Sequence, residues 1–164
     1  MEMDNLKKYV SEALPEVNKL LRNNEDASKF TFDNLFEIGI VPQPLYRLID
    51  NKHIQIRHGK FTDKGYLSCT SDFDSFVDSV GVSDIACLQF DIPCEFPMID
   101  VCVLLREYND EKEIILPRGI EFKLEQERRY STYNEIQEFL DMIYSVSSAK
   151  EFTGITFYEL SLVK

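Results

Sequence analysis

The order of periodic segments constrains this chain more than any single motif. Apolar residues recur at helical spacing first, at Leu6, Val10, Leu14, Val17 and Leu21. Strand-like runs follow at 85–92, 98–105, 111–116 and 120–125, with one amphipathic helix at 132–146 before a last alternating run at 152–163. Helices first and strands later make an α+β pattern, not the regular alternation of a doubly wound parallel sheet.

Other segments fill this frame. Pro15 divides the first helical repeat as a kink or a fresh start. A second helical pattern covers 30–38, with Gly39 as its stop. Residues 45–49 read as a strand, and 51–64 as turn-rich chain with bends at Gly59 and Gly65. Residues 66–69 read as a short strand and 72–80 as a helix capped by Ser71. The 164 residues, 44% of them hydrophobic, suit one domain spanning 1–164 with a real core.

The net charge of −11 argues against a binder of nucleic acid, which needs Lys and Arg on phosphates, and against docking on anionic membranes. It leaves room for a local basic pocket. The chain has no run of ~18 apolar residues. Residues 1–8 lack the basic and apolar regions of a signal peptide, so a cytoplasmic protein, or an effector delivered without a classical signal, is expected. Cys69, Cys87, Cys94 and Cys102 show no CxxC spacing, and His53 and His58 stand apart, so reduced thiols and no metal site are expected. GxGxxG and GxxxxGK[ST] are both absent.

Three segments carry residue types suited to chemistry. Glu111 and Glu113 open the apolar run 111–116. In a strand they face one side, ~6–7 Å apart, able to stabilise developing positive charge and to take a proton. The plain alternative is a solvated charged turn. Arg47 interrupts Leu45-Tyr46-Arg47-Leu48-Ile49, and a guanidinium in an apolar strand calls for an anion such as a phosphate or carboxylate. An edge arginine turned to solvent, or one paired internally with a glutamate, is the alternative. Ser68, Thr70 and Ser71 put hydroxyls at a strand end before a helix. They can orient a carboxylate or a ligand amide, or cap the helix. Ser71 fits capping best, which leaves Ser68 as the functional candidate.

Taken together and in this order, these segments resemble the arginine–serine–glutamate branch of the mono-ADP-ribosyltransferases, the relatives of bacterial toxins and effectors. The family's aromatic-Arg, aromatic-x-Ser-Thr-Ser and Glu/Gln-x-Glu elements stand here as Tyr46-Arg47, Tyr66-Leu67-Ser68-Cys69-Thr70 and Glu111-Lys112-Glu113. Val17-Asn18-Lys19-Leu20-Leu21-Arg22 is similar to a family helix, and the stretches 61–65 and 114–122 to the family's flanking segments. Two positions depart: Cys69-Thr70 stands for Thr-Ser, and Leu48 for a frequent glycine.

The resemblance implies two roughly perpendicular, mostly antiparallel sheets around a cleft that holds NAD as substrate. It implies that Arg47 grips NAD phosphate, that Ser68 positions Glu113, and that Thr70 belongs to the NAD site. Glu113 then supports the ribose as nicotinamide leaves, while Glu111 faces an acceptor, arginine where the residue is Glu. Tyr108 stands where relatives carry an aromatic that touches the target protein; an ordinary turn tyrosine is the alternative. Phe73 and Phe76 either line the NAD pocket or belong to the core of a short helix. The expected protein is a monomer acting on another protein. An NAD glycohydrolase or a transferase to another acceptor on the same fold, and an inactive NAD-binding module, are the other readings. Residues 131–150 look like an insertion of unassigned role.

Overall fold

Pro15 cuts the N-terminal repeat into two helices, α1 (Glu2–Ser11) and α2 (Glu16–Arg22), because it lacks the N–H that would continue the first and suits the start of the second. The structure is a computed structural model that describes residues 1–108 and 112–163, with Asp78 and Tyr108 described through their backbones only. The strands are β1 (Glu37–Ile40), β2 (Leu45–Asp50), β3 (Lys60–Thr62), β4 (Leu67–Thr70), β5 (Asp84–Asp91), β6 (Glu95–Asp100), β7 (Glu113–Leu116), β8 (Glu121–Tyr130) and β9 (Gly154–Leu162). Three further helices are α3 (Phe73–Val80), α4 (Val101–Leu104) and α5 (Tyr133–Met142).

The expected α+β architecture, with N-terminal helices ahead of a mostly antiparallel sheet, is the one observed. The strands run in one order, β1-β6-β7-β4-β2-β5-β9-β8-β3, and among the described residues only β5 and β9 pair in parallel. The two expected sheets are therefore two halves of one ladder. Their junction is slight: β2 and β5 match along six residues, but β2 and β4 meet only at Tyr46 and Thr70.

One face of the ladder holds a continuous core that includes Leu45, Cys69, Leu88, Phe90, Leu116 and Leu160. The opposite face is covered by two separate helical layers. Leu6, Tyr9 and Val17 of α1 and α2 pack with Tyr66, Ile99 and Ile115 on the first half. Phe73 of α3 and Ile136, Phe139 and Leu140 of α5 pack with Tyr46, Ile85 and Cys87 on the second. The Tyr46–Thr70 junction lies between these layers.

The segment 131–150 is thus a structural cover. Thr132 and Glu135 form a reciprocal capping box at the start of α5. Phe139 is 1% exposed and its ring centroid lies 4.9 Å from that of Tyr130. Truncating such a ring typically costs about 3–5 kcal/mol. Asp74 holds the chain leaving α5, accepting hydrogen bonds from Ser145 Oγ (2.6 Å), Val146 N (3.0 Å) and Ser147 Oγ (2.9 Å). Burial works to raise the pKa of Asp74, but the bonds from Ser145, Val146 and Ser147 outweigh it and hold the carboxyl below its ordinary value.

Several local expectations are corrected. The pattern at 30–38 yields only a 3-10 turn, Asp33–Leu35, and Gly39 lies inside β1, where a side chain would crowd Met98 Sδ at 3.1 Å. The strand expected at 98–105 ends at Asp100, whose carboxylate accepts from Cys102 N and Val103 N and starts α4. Asp72, not Ser71, caps α3. The turn-rich 51–64 contains β3, which the sequence pattern did not reveal, and β8 continues to Tyr130.

Candidate active site

Arg47, Ser68 and Glu113 come from three adjacent strands of the ladder, β2, β4 and β7. Thr70 faces both neighbours: it is matched with Tyr46 on β2 and with Glu113 on β7. Directly opposed residues share a face, so Tyr46, Thr70 and Glu113 form one cross-strand row between the helical layers. Arg47 is half-buried and donates from Nη1 to the Ser68 carbonyl at 3.1 Å, reaching across the strands just where they stop pairing. Among the described residues it forms no salt bridge. A carbonyl satisfies one donor but leaves the charge uncompensated.

Ser68 Oγ lies 2.6 Å from Tyr9 Oη, and either oxygen can hold the shared hydrogen. Burial pushes the Tyr9 hydroxyl from its ordinary 10 up to about 12, against the hydrogen bond with Ser68 and the charge of Arg47. Glu113 adds to that rise. The same two charges act oppositely on Cys69, whose thiol burial itself drives up to about 12. Arg47 and Glu113 are thus close enough to the Tyr9–Ser68 pair for their fields to be felt there. Glu113 is only 6% exposed.

Asn18 and Tyr66 fix the position of β4. Tyr66 N donates to Asn18 Oδ1 at 2.7 Å, and Asn18 Nδ2 donates to Tyr66 O at 3.1 Å, so one side chain takes the place of a neighbouring strand. The preceding residue must be glycine for this approach, since a Cβ on Gly65 would stand 2.6 Å from Asn18 Oδ1. Tyr66 Oη in turn donates to Asp33, which Arg118 grips through two nitrogens. Arg22 binds Asp63 in the same forked way.

The remaining candidates fall as follows. The Thr70 hydroxyl accepts from Asp72 N at 3.1 Å and donates to Asp72 O, shaping the turn into α3. Cys69 points into the core on the opposite face, so its departure from the motif removes no hydroxyl from the site. Leu48 is 7% exposed beneath the α3–α5 layer. Phe73 and Phe76 belong to the core under α3. Glu111 lies outside the described residues, as does the Tyr108 side chain. Among the described residues no group of acids, histidines or cysteines is placed to hold a metal. Tyr9 was missed, although it falls on the buried side of α1 three residues after Leu6. A tyrosine on an otherwise apolar helix face needs a partner for its hydroxyl, and that was the available signal.

A cavity of about 690 Å³ opens beside this row, between the start of α3 and the end of α5. Its floor continues the row across the sheet: Tyr46 is matched with Gln89, Gln89 with Glu159, and Glu159 with Gln126. Lys112, next to Glu113, stands at its edge and is 3.3 Å from Asp72.

No protein-family model matches the chain, and no curated protein sequence does. Solved structures match in fold. Exoenzyme S from Pseudomonas aeruginosa, solved with human 14-3-3 protein beta and Carba-NAD, aligns at a TM-score of 0.59 and 16% identity, over 98% of this chain and 72% of its own. An ADP-ribosyltransferase from Clostridium botulinum aligns at 0.60 and 15%, over 99% and 86%. The Salmonella SpvB ATR domain aligns at 0.61 and 10%, over 99% of this chain and 98% of its own. Likeness at such low identity is one of fold, and on it the chain has the ADP-ribosyltransferase fold.

Proposed function

We propose that the chain is an NAD-dependent mono-ADP-ribosyltransferase of the arginine–serine–glutamate branch, which releases nicotinamide and modifies a protein side chain, arginine when Glu111 faces the acceptor. The observation that supports this reading is that Arg47 reaches the Ser68 carbonyl where β2 and β4 stop pairing, while Glu113 is matched with Thr70 on the same β4 strand. A half-buried guanidinium without a salt bridge among the described residues fits a diphosphate, and its fork can hold two oxygens at once.

NAD supplies a glycosidic bond whose cleavage leaves positive charge on a ribose. Glu113, held among buried groups, stabilises that charge better than a carboxylate in water, because the surroundings screen it less. The comparison with carboxylate-assisted glycoside cleavage is direct. Ser68 positions Glu113 by accepting from Tyr9 and giving its own hydrogen to the carboxylate. Tyr9 stays neutral through the physiological range and can remain the donor. Glu111 holds a guanidinium as a cation and takes its proton on attack. The net charge of −11 favours a protein over a nucleic acid as acceptor. Incubation with labelled NAD and cell lysate tests the proposal. Label on protein arginine is expected, and label that stays entirely in free ADP-ribose would overturn transfer.

A further inference from the structure

We propose that the cavity beneath α5 is a second recognition pocket, which receives a lysine or arginine side chain of the protein to be modified, with Glu159 as its counter-charge. This rests on the transferase reading for its partner, but not for its chemistry. Glu159 is half-buried on the cavity floor, and among the described residues it has neither a hydrogen bond nor an ion pair. Gln89 and Gln126 flank it on β5 and β8, likewise without hydrogen bonds among the described residues. Gln89 and Glu159 are half-buried and Gln126 is exposed, so the floor offers acceptors that no donor among the described residues uses and that a donor entering the cavity can reach.

The sign of that ligand follows from what the other charges are doing. Lys112 is engaged with Asp72, and Asp74 is engaged with the chain leaving α5. Arg128 is exposed, with its guanidinium carbon 4.7 Å from the centre of the Tyr130 ring, and the carboxylate that feels its charge is Glu135 at the start of α5. The Glu159 carboxylate is left. A cation with an apolar stem fits it, because Tyr46 and Phe157 in the wall offer ring surface to the stem and the charge alike.

The rim points to a protein segment rather than a small cation. Tyr144 is 92% exposed and Met142 58% exposed, both at the cavity, and Val146 just beyond is 90% exposed. Tyr144 adopts φ +58, a conformation unfavourable for a side chain of its size. The three bonds to Asp74 from the next three residues hold it there. A strained residue held outward beside a cavity, next to the strand end that carries Glu113, is placed to meet a partner surface.

The test is a ¹⁵N NMR titration, following the assigned side-chain amides of Gln89 and Gln126. Agmatine should shift both saturably, and Glu159→Gln should weaken it at least tenfold. A capped Leu-Arg-Leu tripeptide should bind at least fivefold tighter than agmatine, and Tyr144→Ala should remove that gain. Unmoved amides, an unchanged titration in Glu159→Gln, or tighter binding of AMP to the same amides would overturn the cationic pocket. A tripeptide no tighter than agmatine would overturn the protein-segment reading. Nicotinamide release by the wild-type protein, measured on the same sample, judges the transferase reading separately.

Discussion

Replacing Tyr9 by phenylalanine tests the buried support of the site. At neutral pH the change removes the 2.6 Å bond to Ser68, and a buried hydrogen bond contributes about 0.5–1.5 kcal/mol. The alkaline limb gives the sharper signature. The folded-state value of Tyr9 is raised from 10 to about 12, so the neutral hydroxyl is favoured by folding. Its contribution is complete below pH 10 and is lost as pH climbs toward 12. By linkage, ionisation of Tyr9 alone costs the wild type about 2 kcal/mol of stability by about pH 11.5. Tyr46 and Tyr66, both also raised chiefly by burial, decline equally in both proteins. Urea unfolding followed by circular dichroism should therefore find the wild type more stable by about 1 kcal/mol at pH 7, and the variant more stable by about 1 kcal/mol near pH 11.5. Nicotinamide release should fall about tenfold at pH 7, about 1.4 kcal/mol of barrier, as Ser68 loses its fixed orientation. A stability difference that stays constant to pH 11.5 would refute the burial argument for Tyr9.

Other perturbations bear on neighbouring parts. Arg47→Lys should weaken NAD binding at least tenfold by calorimetry, since an ammonium lacks the fork; equal affinity would remove Arg47 from the NAD site. Glu111→Gln should leave NAD hydrolysis within a few-fold while transfer to arginine collapses; a parallel fall would make Glu111 part of the NAD machinery. Gly65→Ala should destabilise by about 2–3 kcal/mol in denaturant titration, because the added Cβ meets Asn18 and disturbs its bonds to Tyr66. A neutral result there would mean that α2 can retreat without loss.

The site was legible where short motifs sit on regular strands. Ser68 and Thr70 share one face of β4 by the period of two while Cys69 takes the other, but Arg47 alternates away from Tyr46, so its reach to the Ser68 carbonyl did not follow from that period. The Tyr46–Thr70 junction was not legible, because pairing between distant segments leaves no local mark. Asp100 ends a strand within the apolar run 98–105, where a capping side chain outweighs strand propensity. Ser71 lost the cap to Asp72 by one residue, well within the tolerance of helix boundaries. The helix at 132–146 was visible from its apolar stripe, but its place over Tyr46 and Phe73 was not. Packing partners are set by topology, which periodicity does not encode.

Glu113→Gln tests the central claim most directly, read as nicotinamide released from NAD by a protein whose fold is verified by circular dichroism. Glutamine keeps the shape of the side chain and removes its charge. Nicotinamide release at least a hundredfold below wild type, with NAD affinity within a few-fold, is the result predicted for a carboxylate that supports charge on the ribose. Turnover within a few-fold of wild type in that variant would contradict the account.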